Sequence, residues 1–184
     1  MSRSLKSHLL LLAATFVWGS TFIVIKSALA DSTPLVFNAV RMVFASLVLC
    51  AIFFRQLRTL SVGALRAGFL IGTLLWLGYE FQTIGLLYTS ASKSAFLTGI
   101  SVVLVPLFLA VFWRRHVNRY TLAGVCAACV GLYLLCVPPG QGSSLASLNR
   151  GDLLTLGCAV AFAFEIIVIG RSAQHYGFAH LVPV

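Results

Sequence analysis

Three ionisable residues lie deep inside apolar runs: Glu80, Arg41 and Glu165. An uncompensated charge in hydrocarbon is costly, so each must face protein or a water-filled cavity, and the carboxyls are candidates for protonation. At helical spacing Glu80 shares one stripe with Thr73, Trp76 and Thr83. Such a stripe either lines a substrate or proton path or forms a buried helix–helix hydrogen bond or ion pair. Arg41 and Glu80 fall at matching heights, roughly 10–12 Å below the same end of their helices at about 1.5 Å per residue. That makes Arg41 the expected partner of Glu80, the alternative being a guanidinium that reaches outward alone. Glu165 either reaches headgroups or lines a cavity on the opposite side. Lys26, near a helix end, is expected to anchor there.

Other residues shape such a site without reacting. Trp18-Gly19-Ser20-Thr21 interrupts an apolar run near its centre. The small and hydroxyl residues suit a close helix crossing, and Trp18 is too deep for an interfacial belt, so it packs or walls a cavity. Pro106 removes one helical hydrogen bond in mid-run, giving a hinge, a cavity wall or plain shape. Gly68 with Gly72, and Ala123, Ala127 and Gly131, recur every fourth residue and suit tight crossings. Cys126 and Cys129 have redox spacing but no second ligand pair, so they read as small packing residues. No HExxH, GxSxG or phosphate-cradling loop is present, and His8, His116, His175 and His180 fall at run ends or in the tail. No enzyme, cofactor or metal centre is expected.

The elements that hold these residues are long apolar helices. The chain is 60 % hydrophobic and 9 % charged, whereas a soluble chain has about 25 % charged residues. Apolar blocks cover about 8–30, 35–54, 67–88, 94–113, 120–137 and 153–170. Each is of membrane length, and lipid leaves exposed backbone amides no partner but the helix itself. The expected fold is all-α, a polytopic bundle of six transmembrane helices, with the lipid bilayer as its main partner. The net charge of +9 would suggest nucleic acid in a soluble chain, but here the cations flank the apolar blocks. Arg3, Lys6, Arg55, Arg58, Arg66, Arg114, Arg115, Arg119 and Arg171 gather on one side, against Lys26, Lys93 and Arg150 on the other. Positive-inside then places the N-terminus in the cytoplasm.

Aligning Lys26-Ser27-Ala28 with Arg171-Ser172-Ala173 gives the first and sixth blocks a shared ending. Five steps separate them, so they cross in opposite directions, the pattern of an inverted repeat. Several stretches add a resemblance. Gly85–Phe108, Trp18–Lys26, Arg41–Ala45, Arg119–Leu135 and Gly151–Leu154 look like the EamA-type proteins of the drug/metabolite transporter superfamily. The resemblance implies ten helices in two inverted five-helix halves around a central cavity. It implies secondary transport of small metabolites, often amino acids or related compounds. Arg114-Arg115-His116 departs from the family, which commonly has an acidic residue after its fourth helix. On this reading 8–137 is the first five-helix repeat, 138–150 a periplasmic loop and 151–184 the start of the second. The chain is then expected to be a piece of a longer inner-membrane carrier of a small-molecule substrate, with a proton as candidate coupling ion. The alternative is a truncated, inactive or partner-dependent scaffold, homodimerisation being one route to a complete bundle.

Overall fold

The computed structural model describes residues 3–114, 118–136 and 148–176. Seven helices carry them: α1 (Arg3–Ala28), α2 (Pro34–Ile52), α3 (Phe54–Leu57), α4 (Val62–Tyr88), α5 (Ala91–Trp113), α6 (Arg119–Cys136) and α7 (Arg150–Tyr176). All described secondary structure is helical. Five segments are long and apolar enough to cross a membrane: Leu5–Ala28, Pro34–Ile52, Val62–Tyr88, Ala91–Trp113 and Arg150–Tyr176. The fifth expected block is also a helix, α6, of 18 residues. His116, Pro138-Pro139-Gly140, most of the expected 138–150 loop and His180 lie outside the described residues.

Local chemistry sets the helix ends. Thr33 caps α2 ahead of Pro34, whose missing N–H costs nothing in a first turn. The Ser61 and Ser90 hydroxyls accept from the Ala64 and Lys93 amides at 3.1 and 3.2 Å, opening α4 and α5. The Ser61 cap starts α4 at Val62, before the expected Ala67, and Arg66 is carried as an exposed helical residue. Helix α7 opens on a reciprocal pair: Asp152 N–H donates to Asn149 Oδ1 at 2.9 Å, and Asn149 N–H to Asp152 Oδ2 at 3.0 Å. Pro106 sits within α5, which runs on to Trp113.

Helices α4, α5 and α7 form the core, with α4 and α7 antiparallel and the most extensively packed pair. Glycine makes this approach possible. A β-carbon on Gly63 would collide with the Tyr176 ring, one on Gly78 with the Phe162 ring, and one on Gly85 with Thr155 and the Gly151 carbonyl. Gly151 in turn lies against the Gly85 carbonyl and the Thr89 amide. Hydrocarbon gives no hydrophobic drive for helix association, so this close contact and its polar links must supply it.

The polar links form a buried seam. Gln82 Nε2 donates to Thr98 Oγ1 at 3.2 Å and lies 3.8 Å from Cys158 Sγ. Ser94 and Thr155 hydroxyls are 3.4 Å apart, and Thr155 also donates to the Gly151 carbonyl at 2.8 Å. At the end of the seam Lys93 Nζ meets Asp152 Oδ2 at 2.6 Å, and the Thr89 hydroxyl donates to Asp152 Oδ1 at 2.7 Å. Asp152 is fully buried with its oxygens satisfied by a cation, a hydroxyl and an amide. That satisfaction is what a buried charge requires.

The other helices are held more lightly. Among the α1 residues whose burial is described, Phe22 and Ile25 are buried, against Leu86 of α4, while Leu9 through Val17 are exposed. In α2 only Asn38 is buried. Helix α6 flanks α5 across an apolar cleft of about 250 Å³ lined by Phe96, Gly99, Ile100, Val103, Ala128 and others.

Candidate functional site

Arg41 and the rings around it sit where α2 and α7 face α4. Arg41 lies on α2 and its guanidinium carbon is 3.7 Å from the Tyr79 ring centroid on α4. Phe37, one turn earlier on α2, lies at 5.9 Å. Tyr79 meets Phe162 of α7 edge-on, with centroids 5.4 Å apart at 82°. Phe162 in turn meets Trp18 of α1 at 6.4 Å and 57°. One row, Phe37–Arg41–Tyr79–Phe162–Trp18, therefore links four helices. A desolvated cation–π contact contributes about 2 kcal/mol, more than a typical exposed pair.

Arg41 and Glu80 do not form the expected ion pair. Lys93–Asp152 is the ion pair among the described residues. Arg41 Nη2 and Glu80 Oε1 are both buried and both lack a hydrogen-bond partner. Glu80 and Tyr79 are both near enough for their charge to act on the Arg41 guanidinium. The reason lies in helix geometry. Equal depth fixes height along the bundle, but one residue along a helix rotates the side chain by about 100°. Residue 79, not 80, turns its side chain under the guanidinium. Glu165, half-buried on α7, is close enough for its charge to act on Tyr79 and Cys158. Tyr79 thus lies within reach of both the Arg41 and the Glu165 charge.

The remaining expected residues divide. Thr83 is fully buried and donates to Asn38 Oδ1 at 3.1 Å, while Asn38 Nδ2 donates to the Tyr79 carbonyl at 3.3 Å. Thr83 therefore ties α4 to α2. Thr73 donates to the Phe69 carbonyl at 2.8 Å and, with Trp76, Gly72 and Phe69, lines an open depression of about 410 Å³ on α4. Trp76 is 46 % exposed there and Trp18 47 % exposed on α1. Pro106 is on α5, which contributes nothing to the row; its neighbour Phe108 stacks on Phe164 at 4.8 Å. A β-carbon on Gly19 would meet open space, and the Ser20 and Thr21 hydroxyls return to the Val17 and Trp18 carbonyls at 2.7 and 2.6 Å. Gly19 is therefore not the point of a close helix crossing.

Lys26 is tied to protein. Its ammonium donates to the Leu86 carbonyl and, at 2.8 Å, to the Thr89 carbonyl. These are carbonyls that the end of α4 leaves open, a position that favours a cation. Tyr79, Phe162, Asn38, Gln82 and the Lys93–Asp152 pair were not singled out from sequence. Two stripes could have flagged the seam: Ser94, Thr98 and Ser101 on α5, and Gly151, Thr155, Cys158 and Phe162 on α7, both at helical spacing.

A model of the EamA-like transporter family matches residues 5–137. The chain belongs to that family. Similar proteins extend the match across nearly the whole chain. An uncharacterized transporter of Archaeoglobus fulgidus is 38 % identical over 172 residues, covering 94 % of this chain and 51 % of the relative. Uncharacterized transporter YoaV of Bacillus subtilis is 23 % identical over 182 residues, covering 93 % and 59 %. Uncharacterized transporter YvbV of the same organism is 26 % identical over 171 residues, covering 92 % and 55 %. The EamA-like chain thus spans about half the length of the curated relatives it matches. No solved structure matches it significantly. Family membership and five membrane-length helices make it an integral membrane protein.

Proposed function

We propose that this EamA-like chain is part of a secondary transporter of small metabolites, amino acids or related compounds among them, working by alternating access. Six transmembrane helices, α1, α2 and α4 to α7, would form part of an inverted five-plus-five bundle in the inner membrane, with the N-terminus cytoplasmic. The Arg41–Tyr79–Glu80–Glu165 cluster would lie on the transport path, with Trp18 at its edge. One observation carries the reading: Arg41 Nη2 and Glu80 Oε1 are buried without partners. Buried polar groups in native proteins are nearly always satisfied, and orphaned ones mark work in progress at a site. Glu80 takes up a proton or contacts a cationic group, and Arg41 sets its charge state. The experiment is flux into proteoliposomes with amino acids and amphipathic cations, using a full-length form. Glu80→Gln abolishes or uncouples flux while membrane insertion is retained. Unchanged flux in that variant would make Glu80 structural.

A second reading is a scaffold that transports only with a partner or a second copy. Flux from this chain alone, reconstituted as a monomer, would rule it out.

A further inference from the structure

The way α1 is fastened suggests what moves. Helices α4 and α7 share glycine crossings, and α5 joins them through a buried hydroxyl seam and a satisfied ion pair, so they behave as one body. Helix α1 meets that body at the end where Lys26, Phe22 and Ile25 sit. Much of its other half is exposed, and Trp18 meets the Phe162 ring. The polar tie at this end is the Lys26 ammonium on the Leu86 and Thr89 carbonyls. Beside it is an open cavity of about 220 Å³ lined by Lys26, Leu29, Ala30, Leu86 and Leu87, so the latch has room to let go.

We propose that Lys26 is a releasable latch and α1 the outer gate over the Trp18–Phe162–Tyr79–Arg41 row. With the ammonium on the α4 carbonyls, the outer end is shut, as here. Released, α1 pivots away and uncovers the face of Phe162 and Tyr79 beside Arg41. The released carbonyls at the α4 terminus can accept from water at the membrane surface, which keeps the open form accessible. The inference rests on the transporter reading, but its test needs no flux.

The test places one cysteine at Leu86, fully buried under α1, in a chain whose native cysteines are replaced. A membrane-impermeant maleimide is then added from the outer face of proteoliposomes. Lys26→Ala raises the labelling rate of Leu86→Cys at least tenfold, and Lys26→Arg, which keeps the cation, stays near the parent rate. A second reporter, Ser101→Cys, buried within α5, remains unlabelled in every background. An unchanged rate at position 86 in Lys26→Ala overturns the proposal. So does a matching rise at position 101, because that is loosening of the whole bundle. Absent flux together with the expected labelling pattern would count against the transporter reading and leave the latch standing.

Discussion

Helices α4, α5 and α7 on one hand, and α1 and α2 on the other, are built from similar apolar residues and held by different physics. The first set meets through bare glycines, at Gly63, Gly78, Gly85 and Gly151, and through side chains whose polar atoms are paired. The second set touches the first through a few residues: Trp18, Phe22, Ile25 and Lys26 from α1, and Asn38 and Arg41 from α2. The unsatisfied charged atoms fall on the boundary between them, Arg41 on α2 and Glu80 on α4. In lipid, apolar area decides little between helices; close packing and polar satisfaction decide which ones move together. The contrast separates a closely packed body from more lightly held helices, and it puts Arg41 and Glu80 at the boundary between the two.

Substitutions in the rigid body should cost most. Asp152→Ala leaves Lys93 and Thr89 facing an empty place in a buried ion site. It should lower stability by about 3–5 kcal/mol, read as a large drop in thermal midpoint in detergent. Gly78→Leu drives a side chain into the Phe162 ring and should cost about 1–3 kcal/mol. It should also disturb Tyr79, which contacts the same ring. A midpoint within error of the parent for either variant would mean that these three helices are not the packed unit described.

At the boundary the cost falls. Asn38→Ala removes the links to Thr83 and the Tyr79 carbonyl and should cost about 0.6–1.7 kcal/mol, the range for hydrogen bonds between membrane helices. Within α1 the sign reverses. A β-carbon on Gly19 would meet nothing within 4 Å, so Gly19→Ala should stabilise the helix by about 0.5–1 kcal/mol through lower backbone entropy. A destabilised Gly19→Ala would place an unseen neighbour against α1 and weaken the contrast. Calorimetry or fluorescence melts of the variants under one detergent condition rank all four.

The helices were legible because hydropathy and charge-free runs mark what lipid accepts. Their ends were less so: α4 starts at its Ser61 cap rather than at the first long apolar stretch, since an exposed Arg66 costs a membrane helix little at its end. The cluster was half legible. Depth counting brought Arg41 and Glu80 within reach of each other's charge but carried no azimuth, so Tyr79 under the guanidinium went unseen. The Lys93–Asp152 pair was also within reach of that counting, since both residues flank the same side of their blocks. Lys26 reads as an anchor because sequence does not show which helix end lies beside it; the open carbonyls of α4 do.

Stability and flux should come apart in two variants of a full-length form measured side by side. Asp152→Asn should lose thermal stability while its correctly folded fraction still transports. Glu80→Gln should keep its melting midpoint and insertion and carry no coupled flux. Sustained flux in Glu80→Gln, with flux lost in folded Asp152→Asn, would contradict the account by moving the working site from the boundary into the rigid body.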